Sequence, residues 1–390
     1  CGVKRTGHFD GVCTVVYRLI NLINPETIFL GEKDWQQLLI IKKMLKEIKF
    51  RIKVKSITTQ RDSDYVPFSS RNNLLKIEER KNLMIFCKEL SYAKEKYIKE
   101  KKIDFFKIEK KLKQLNISVE YLEHVNAFNL QKAKKTDNIT LLAGAISFGN
   151  KRLIDHVFLM KKLPIIAIDG PAGSGKSTVT KLIARKLNFL YLDTGAMYRA
   201  LSWFLINEKI DYKKNDELKR ILKNISITFK TNDDSNQDVL INDLCVTKKI
   251  RSQEISSIVS SIASIPIVRE FLVSEQRKIG NEGGLVAEGR DIGSTVFPNA
   301  EVKIFLNATI NERARRRKLE LDKIGDAKVD FDLIKEQIKR RDYKDSNRKV
   351  SPLIKASDAE EIITDKYTIE AIVEKIIEIY NDTIPKELQN

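Results

Sequence analysis

A chain of 390 residues is long enough for two domains, each with a buried core. Its four cysteines, Cys1, Cys13, Cys87 and Cys245, are too few and too scattered for a disulfide framework or a CxxC metal site, so we expect buried thiols in a reducing cytoplasm. No apolar run approaches the roughly 18 residues of a spanning helix, and no charged-then-apolar leader precedes Gly7, so we expect an unexported protein with no membrane partner.

The net charge of +18 is unevenly spread: residues 1–163 carry 33 Lys and Arg against 18 Asp and Glu, and the remainder carries 38 against 35. Much of the excess is lysine in stretches such as AKEKYIKEKKIDFFKIEKKLKQL (93–115), where acids recur at three and four residue spacing, the pattern of a solvated helix face. A nucleic-acid surface needs aromatic platforms or an arginine-rich groove; neither is assembled, and no nucleic-acid partner is expected.

In chain order, GVCTVVYRLINLI (11–23) spaces Val12, Val15, Val16, Leu19, Ile20 and Ile23 as a helix, and TIFLG (27–31) reads as a short buried strand. DWQQLLIIKKMLKEI (34–48) is helical again, and RIKVKSI (51–57) alternates as a half-buried strand. Helix and strand in turn imply a parallel α/β layer. After Ser70, long charged helices and a few short strands indicate a smaller α+β lobe, closing with LLAGAISFGNKRLIDHV as strand, Gly-Asn turn and apolar stretch. The short linker MKKLP marks the boundary, giving domains of residues 1–160 and 161–390.

Beyond it PIIAIDG is a strand, GKSTVTKLIARKL a helix, FLYLD a strand and TGAMYRALSWFLINE a helix. SITFKTNDDSNQDVLINDLCVT (226–247) reads as a hairpin insertion with a polar tip, and LVAEG, VKIFLNA and EIITD are further strands before a C-terminal helix. The result is a wound parallel sheet with appended segments.

The sharpest chemical signal is GPAGSGKST, formed by Gly170, Pro171, Ala172, Gly173, Ser174, Gly175, Lys176, Ser177 and Thr178, which satisfies GxxxxGK[ST] between a β-branched strand and an amphipathic helix. Its glycines let backbone N–H groups turn inward around the phosphates of ATP, Lys176 reaches the terminal phosphates, and the Ser177 hydroxyl can hold Mg²⁺. The helix beginning at Lys176 adds its positive end. A kinase acting on a phosphorylated acceptor must also clamp a second polyanion, and candidates are Arg199, Arg269, Arg290, Arg341, Arg348 and the cluster Arg313, Arg315, Arg316 and Arg317.

From residue 164 to about 382 these motifs resemble the bacterial cytidylate kinases, in the order IDGPAGSGKST, LDTGAMYR, RSQEISSIVSSIASIPIVREFL, AEGRDIGSTVFP, VKIFLNA, ERARRR and RDYKDSNRKVSPL. The resemblance implies a P-loop nucleoside monophosphate kinase fold with parallel sheet, lid and insertion, transferring a phosphoryl group from ATP to CMP or dCMP. It implies that Thr194 and Arg199 hold the acceptor, that Ser260, Arg269 and Asp291 surround the cytosine, and that Arg290, Arg341, Asp345 and Arg348 meet the acceptor phosphate and sugar. Residues 313–317 would form the lid, with Arg313 and Arg317 joining Lys176, Arg290 and Arg341 around the transferring phosphate. An alternative is a UMP or AMP kinase carrying a non-catalytic basic binding module.

GHFDGV (7–12), FLGEKDWQQL (29–38) and FSSRNN (68–73) resemble the pantothenate synthetases, ATP-dependent pantoate-β-alanine ligases. The resemblance covers residue 1 to about 160 and implies a partial Rossmann-like nucleotidyltransferase-type domain, pantoate and β-alanine as substrates, and dimerisation through this domain. It assigns ATP and pantoate binding to His8, to the Gly31, Glu32, Lys33 and Asp34 loop, to Gln37, and to Ser69, Ser70 and Arg71. The family pattern also has an earlier βαβ portion with an HxGH-type segment that this sequence lacks. The expectation is a ligase domain shortened at its N-terminus, with weakened adenylation and an exposed sheet edge.

Overall fold

A computed structural model describes residues 2, 5–231, 237–323 and 330–389. They divide into unit 1, residues 1–162 with 380–390, and unit 2, residues 163–379.

In unit 1, α1 (His8–Ile23) and α2 (Trp35–Glu47) accompany β1 (Thr27–Gly31) and β2 (Lys53–Ile57), which pair in parallel. Ile20, Ile41 and Leu45 form the buried centre of this layer, against Val12, Val16, Ile28 and Val54. The second lobe holds α3 (Ile77–Glu100), α4 (Phe105–Gln114) and an antiparallel sheet of β3 (Ser118–Asn126), β4 (Ile139–Phe148) and β5 (Lys151–Met160). Leu83, Phe86 and Leu90 of α3 pack on Leu142, Ile146 and Val157 of that sheet. The strands run 9 to 10 residues, longer than the short strands expected, because central β4 is mostly buried along its length and shows no alternation from which to read its extent. The lysines of α3 and α4 lie largely on the exposed side, as their acid-interspersed spacing requires.

Unit 2 is built on five parallel strands in the order β13-β12-β6-β11-β7, where β6 is Leu163–Asp169, β7 Leu190–Asp193, β11 Gly283–Gly289, β12 Val302–Asn307 and β13 Glu360–Ile363. The central strands β6 and β11 are apolar runs because both faces are covered. Between β7 and β11 the chain forms α6 (Thr194–Asn207), α7 (Asn215–Leu222), the antiparallel insertion β8 (Ile227–Thr231), β9 (Gln237–Ile241) and β10 (Leu244–Cys245), then α8 (Gln253–Ile262) and α9 (Pro266–Ile279). The polar tip foreseen for this insertion, at 232–236, lies outside the described residues. The remaining helices are α5 (Lys176–Leu187), α10 (Ile310–Lys323), α11 (Phe331–Asn347) and α12 (Ile369–Thr383).

Two expectations need adjustment. Among the described cysteines only Cys87 is buried; Cys13 is half-buried and Cys245, on the two-residue edge strand β10, is exposed because the insertion is too thin to cover it. No single helix among the described residues is long and apolar enough to cross a membrane; α8 and α9 approach that composition only as a pair bent by 96°, and Ile255, Val259, Ile262, Val268 and Leu272 along them are buried.

The turn out of β6 depends on one glycine. Gly170 has φ +150°, and a Cβ there would lie 2.0 Å from the Leu306 carbonyl oxygen of neighbouring β12. Backbone cannot yield as a side chain can. Gly170→Ala should therefore destabilise unit 2 by more than about 2 kcal/mol in denaturant titrations.

Candidate active sites

The glycine-rich loop leaves the carboxyl end of β6, at the point where neighbouring strands β11 and β12 lie on opposite sides, the usual position for a ligand in a doubly wound sheet. Gly173 at φ +77° and Gly175 at φ +90° turn the loop into the first residue of α5, Lys176. The Lys176 ammonium is 6% exposed and donates to the Pro171 carbonyl (2.7 Å) and Ser174 Oγ (3.3 Å). Burial, reinforced by Arg290 and Arg341, holds its pKa well below the lysine range. Ser177 Oγ donates to Glu288 Oε2 at 2.8 Å, and Tyr191 OH donates to Glu288 Oε1 at 2.5 Å. Burial, with Asp193 nearby, raises the Glu288 pKa.

Asp169, at the end of β6, accepts from the backbone N–H groups of Ile292 (2.8 Å) and Gly293 (2.7 Å), fixing a single π-helical turn, Ile292–Val296, directly behind Asp291. Burial pushes its pKa up to about 6 against the pull of those donors and of Lys176. The folded state thus binds the proton more tightly than the unfolded chain. Between about pH 4 and pH 6 stability should fall as pH rises, and denaturation midpoints should show this slope in the wild type but not in Asp169→Asn.

Three arginines gather beside Lys176. Arg199, one turn into α6, pairs with Asp193 at 3.0 Å, and Asp193 also caps α6 by accepting from Ala196 N–H. Arg290 Nε donates to Asp345 Oδ2 at 3.0 Å. Arg341 on α11 has its pKa pulled to about 10 by burial and by the charges of Arg290, Arg199 and Arg317. The buried Nε–H groups of Arg199 and Arg341 have no hydrogen-bond acceptor among the described residues. Thr194 Oγ1 donates to the Glu288 carbonyl at 2.7 Å, at the same strand end.

A second group adjoins. Asp291 lies between two guanidinium groups, Arg269 Nη2 at 2.5 Å and Arg348 Nη2 at 3.3 Å, and all three side chains are almost fully buried. Arg269 sits over the Tyr198 ring, 5.3 Å from its centre. Ser260 is half-buried on the last turn of α8.

The arginine cluster divides by depth. Arg313, 4% exposed, is a strut: its guanidinium meets Asp342 at 2.7 Å, the Ala308 carbonyl at 3.1 Å and the Ala172 carbonyl of the glycine-rich loop at 3.3 Å. Arg316 donates to Thr364 and Glu312, and Arg315 forks onto Glu312, whose pKa the two arginines bring down to about 2. Arg317 is exposed on α10 beside Glu320. Residues 324–329, between α10 and α11 and just beyond the segment foreseen as a lid, lie outside the described residues.

In unit 1, Gly31 ends β1 and Glu32–Asp34 form one 3₁₀ turn before α2. Lys33 Nζ donates to the Phe68 carbonyl at 2.8 Å, tying this turn to the Ser69, Ser70 and Arg71 segment, where Ser69 Oγ accepts from Arg71 N–H. Burial lowers the Lys33 pKa, opposed by Asp34 and Asp155. His8 opens α1 and is drawn below its ordinary pKa by partial burial and then by Arg5, Arg152 and Arg71. Arg71 Nη1 reaches the Arg152 carbonyl at 3.3 Å. Gln37 is half-buried in the first turn of α2, while Asp34 is exposed. Glu32 differs from its neighbours: it is fully buried, and its Oε1 accepts from Ser56 Oγ (2.9 Å) and Lys386 N–H (2.7 Å).

Residues 166–382 match the family model for cytidylate kinase and residues 1–158 that for pantoate-beta-alanine ligase. The chain is 65% identical over 389 residues to a bifunctional pantoate ligase/cytidylate kinase of Prochlorococcus marinus subsp. pastoris, covering all of this chain and 76% of that one. It belongs to that family. A second relative of the same name, from Prochlorococcus marinus strain NATL1A, is 49% identical and is covered to 75%. A pantothenate synthetase crystal structure from Thermus thermophilus is similar at 30% identity and a TM-score of 0.37, over 40% of this chain and 58% of that chain.

Within the kinase unit, Tyr191 and Glu288, bonded to each other and through Glu288 to Ser177 of the loop, are side chains that motif reading passes over. Tyr191 sits in the strand FLYLD with no motif around it, and Glu288 precedes the quoted Arg290 and Asp291. The one available signal is an acid at the carboxyl end of an otherwise apolar central strand. In the ligase unit, Arg5 and Arg152 join the cation group without any sequence sign.

Proposed function

We propose that the kinase unit transfers the terminal phosphoryl group of ATP to the phosphate of CMP or dCMP, giving ADP and CDP or dCDP. The observation that carries this reading is the pair of buried, acceptor-less Nε–H groups of Arg199 and Arg341, grouped with Arg290 and Lys176 next to a phosphate-binding loop. Buried donors without acceptors call for an anionic ligand. The loop amides and Lys176 hold the donor phosphates, Arg199, Arg290 and Arg341 hold the acceptor phosphate, and Arg313 braces the loop from α10. The acceptor phosphate is already an oxyanion, so no general base is required, and catalysis is positioning with charge neutralisation.

Ser177 and Glu288 offer hard oxygen donors that suit Mg²⁺. When bound, the ion would neutralise charge on the phosphates. Asp291 can accept from the exocyclic amine of cytosine while Arg269 donates to its ring acceptors; uracil presents a carbonyl where cytosine presents that amine. A coupled ADP assay with CMP, dCMP, UMP and AMP tests the assignment, and equal rates for UMP and dCMP would end it.

For the ligase unit we propose ATP-dependent condensation of pantoate with β-alanine through pantoyl adenylate, releasing AMP and diphosphate. Lys33, Arg71, His8 and Asp34 around one turn support it. Pantoate-dependent ATP–pyrophosphate exchange tests it; absence of exchange together with salt-dependent RNA binding would favour the basic binding module instead. Both reactions draw on cytoplasmic substrates, and we propose that location and a homodimer through this unit, which light scattering would read as twice the chain mass.

A further inference from the structure

The last residues, 383–390, fall within neither matched family model, yet residues 380–390 belong to unit 1. They are tied down in detail. Ile384 is 1% exposed, Lys42 Nζ of α2 donates to the Asp382 carbonyl at 2.6 Å, and Lys94 of α3 pairs with Glu387 at 2.6 Å. Gln389 folds the segment on itself by donating to the Asn381 and Ile384 carbonyls. The third tie, Lys386 N–H to Glu32, is the informative one. A charge-assisted bond to a fully buried carboxylate replaces hydration that Glu32 has lost, so removing the donor leaves that charge under-satisfied. Glu32 is the residue before Lys33 and two before Asp34, in a turn only three residues long.

We propose that residues 384–389 form a positioning arm for the nucleotide loop Gly31–Asp34: the arm takes Glu32 as an anchor and so holds Lys33 and Asp34 toward the ligand. The functional half of this statement rests on the ligase reading; the structural half does not. Neither Lys386 nor Glu32 need touch substrate.

Lys386→Pro removes the N–H together with the side chain, whose ammonium donates to Gln389 Oε1 at 3.1 Å, so the bond to Glu32 is isolated by comparison with Lys386→Ala, which loses the same ammonium. Pro385 already has the extended backbone that a residue before proline adopts (φ −52°, ψ 135°), and Lys386 opens a single 3₁₀ turn where a proline ring is tolerated. Lys386→Ala keeps the N–H and serves as control. In the full chain, Lys386→Pro should speed amide hydrogen exchange across residues 29–38 at least tenfold. Lys386→Ala should match the wild type, and exchange in residues 163–187 and the KM and kcat for CMP should be unchanged. A chain ending at Pro385 should reproduce the proline effect should the point variant fail to fold. Unchanged exchange in residues 29–38, or an equal rise in Lys386→Ala, would overturn the arm. If exchange responds as expected and the KM for ATP in pantoate-dependent pyrophosphate exchange rises with it, the whole proposal holds. If exchange responds but the wild type shows no pantoate-dependent reaction, the arm stands and the ligase reading fails.

Discussion

Replacing Lys176 by alanine is expected to cut phosphoryl transfer to CMP by about a thousandfold or more while leaving unit 2 folded. The ammonium is buried near Arg290 and Arg341, which Glu288 and Asp169 offset only in part, and its hydrogen-bond partners are neutral: the Pro171 carbonyl and Ser174 Oγ. Its charge is therefore costly in the free protein, as the direction of its pKa shift records. Triphosphate would convert that cost into stabilisation, and most strongly as charge shifts toward the leaving oxygen. The variant should melt at the wild-type temperature or slightly above it. Lys176→Arg should not restore turnover, since a planar fork cannot occupy the space of a compact point charge enclosed by the loop. Near-normal turnover in Lys176→Ala would show that the phosphates bind elsewhere.

The glycine-rich loop was legible because its requirements are local. Residues that must adopt positive φ, a following helix and a preceding β-branched strand all lie within some 25 residues of one another in sequence. The acceptor side was legible as a list of arginines but not as an arrangement. Arg313 and Arg317 are four apart on α10 and carry the same residue type, yet one is a buried strut against Asp342 and the other is exposed beside Glu320. Helical spacing gives a shared face; how deep each residue sits depends on α11, whose approach no pattern in the cluster encodes. Asp169 likewise carries no local mark beyond ending a strand, because its partners, the Ile292 and Gly293 amides, lie over 120 residues away.

In unit 1 the alternation of helix and strand foretold the parallel β1–β2 layer, and a charged α+β lobe after it. Glu32 was not legible. By composition it belongs with Gly31, Lys33 and Asp34 as a polar loop, and a neutral observer would expose it. Burial is decided instead by Ser56 on the adjacent strand and by Lys386, more than 350 residues later. A carboxylate can be buried only where donors meet it, and donors supplied by the far end of the chain leave no local mark.

Asp291→Asn should lower kcat/KM for CMP by about a hundredfold while changing the KM for ATP less than twofold. Asn keeps the shape and one acceptor, but its amide can no longer hold both guanidinium groups, and its NH₂ would oppose the exocyclic amine of cytosine. The larger change, Asp291→Ala, confounds two effects: it also leaves Arg269 and Arg348 buried without their shared carboxylate, which should destabilise unit 2 by about 3 kcal/mol or more. Parallel denaturant titrations separate them. If Asn retained wild-type stability and discriminated CMP from UMP as the wild type does, Asp291 would be a clamp for the two arginines and base choice would lie elsewhere. If discrimination collapsed at unchanged stability, the carboxylate itself reads the base, and the two arginines serve chiefly to keep it aimed.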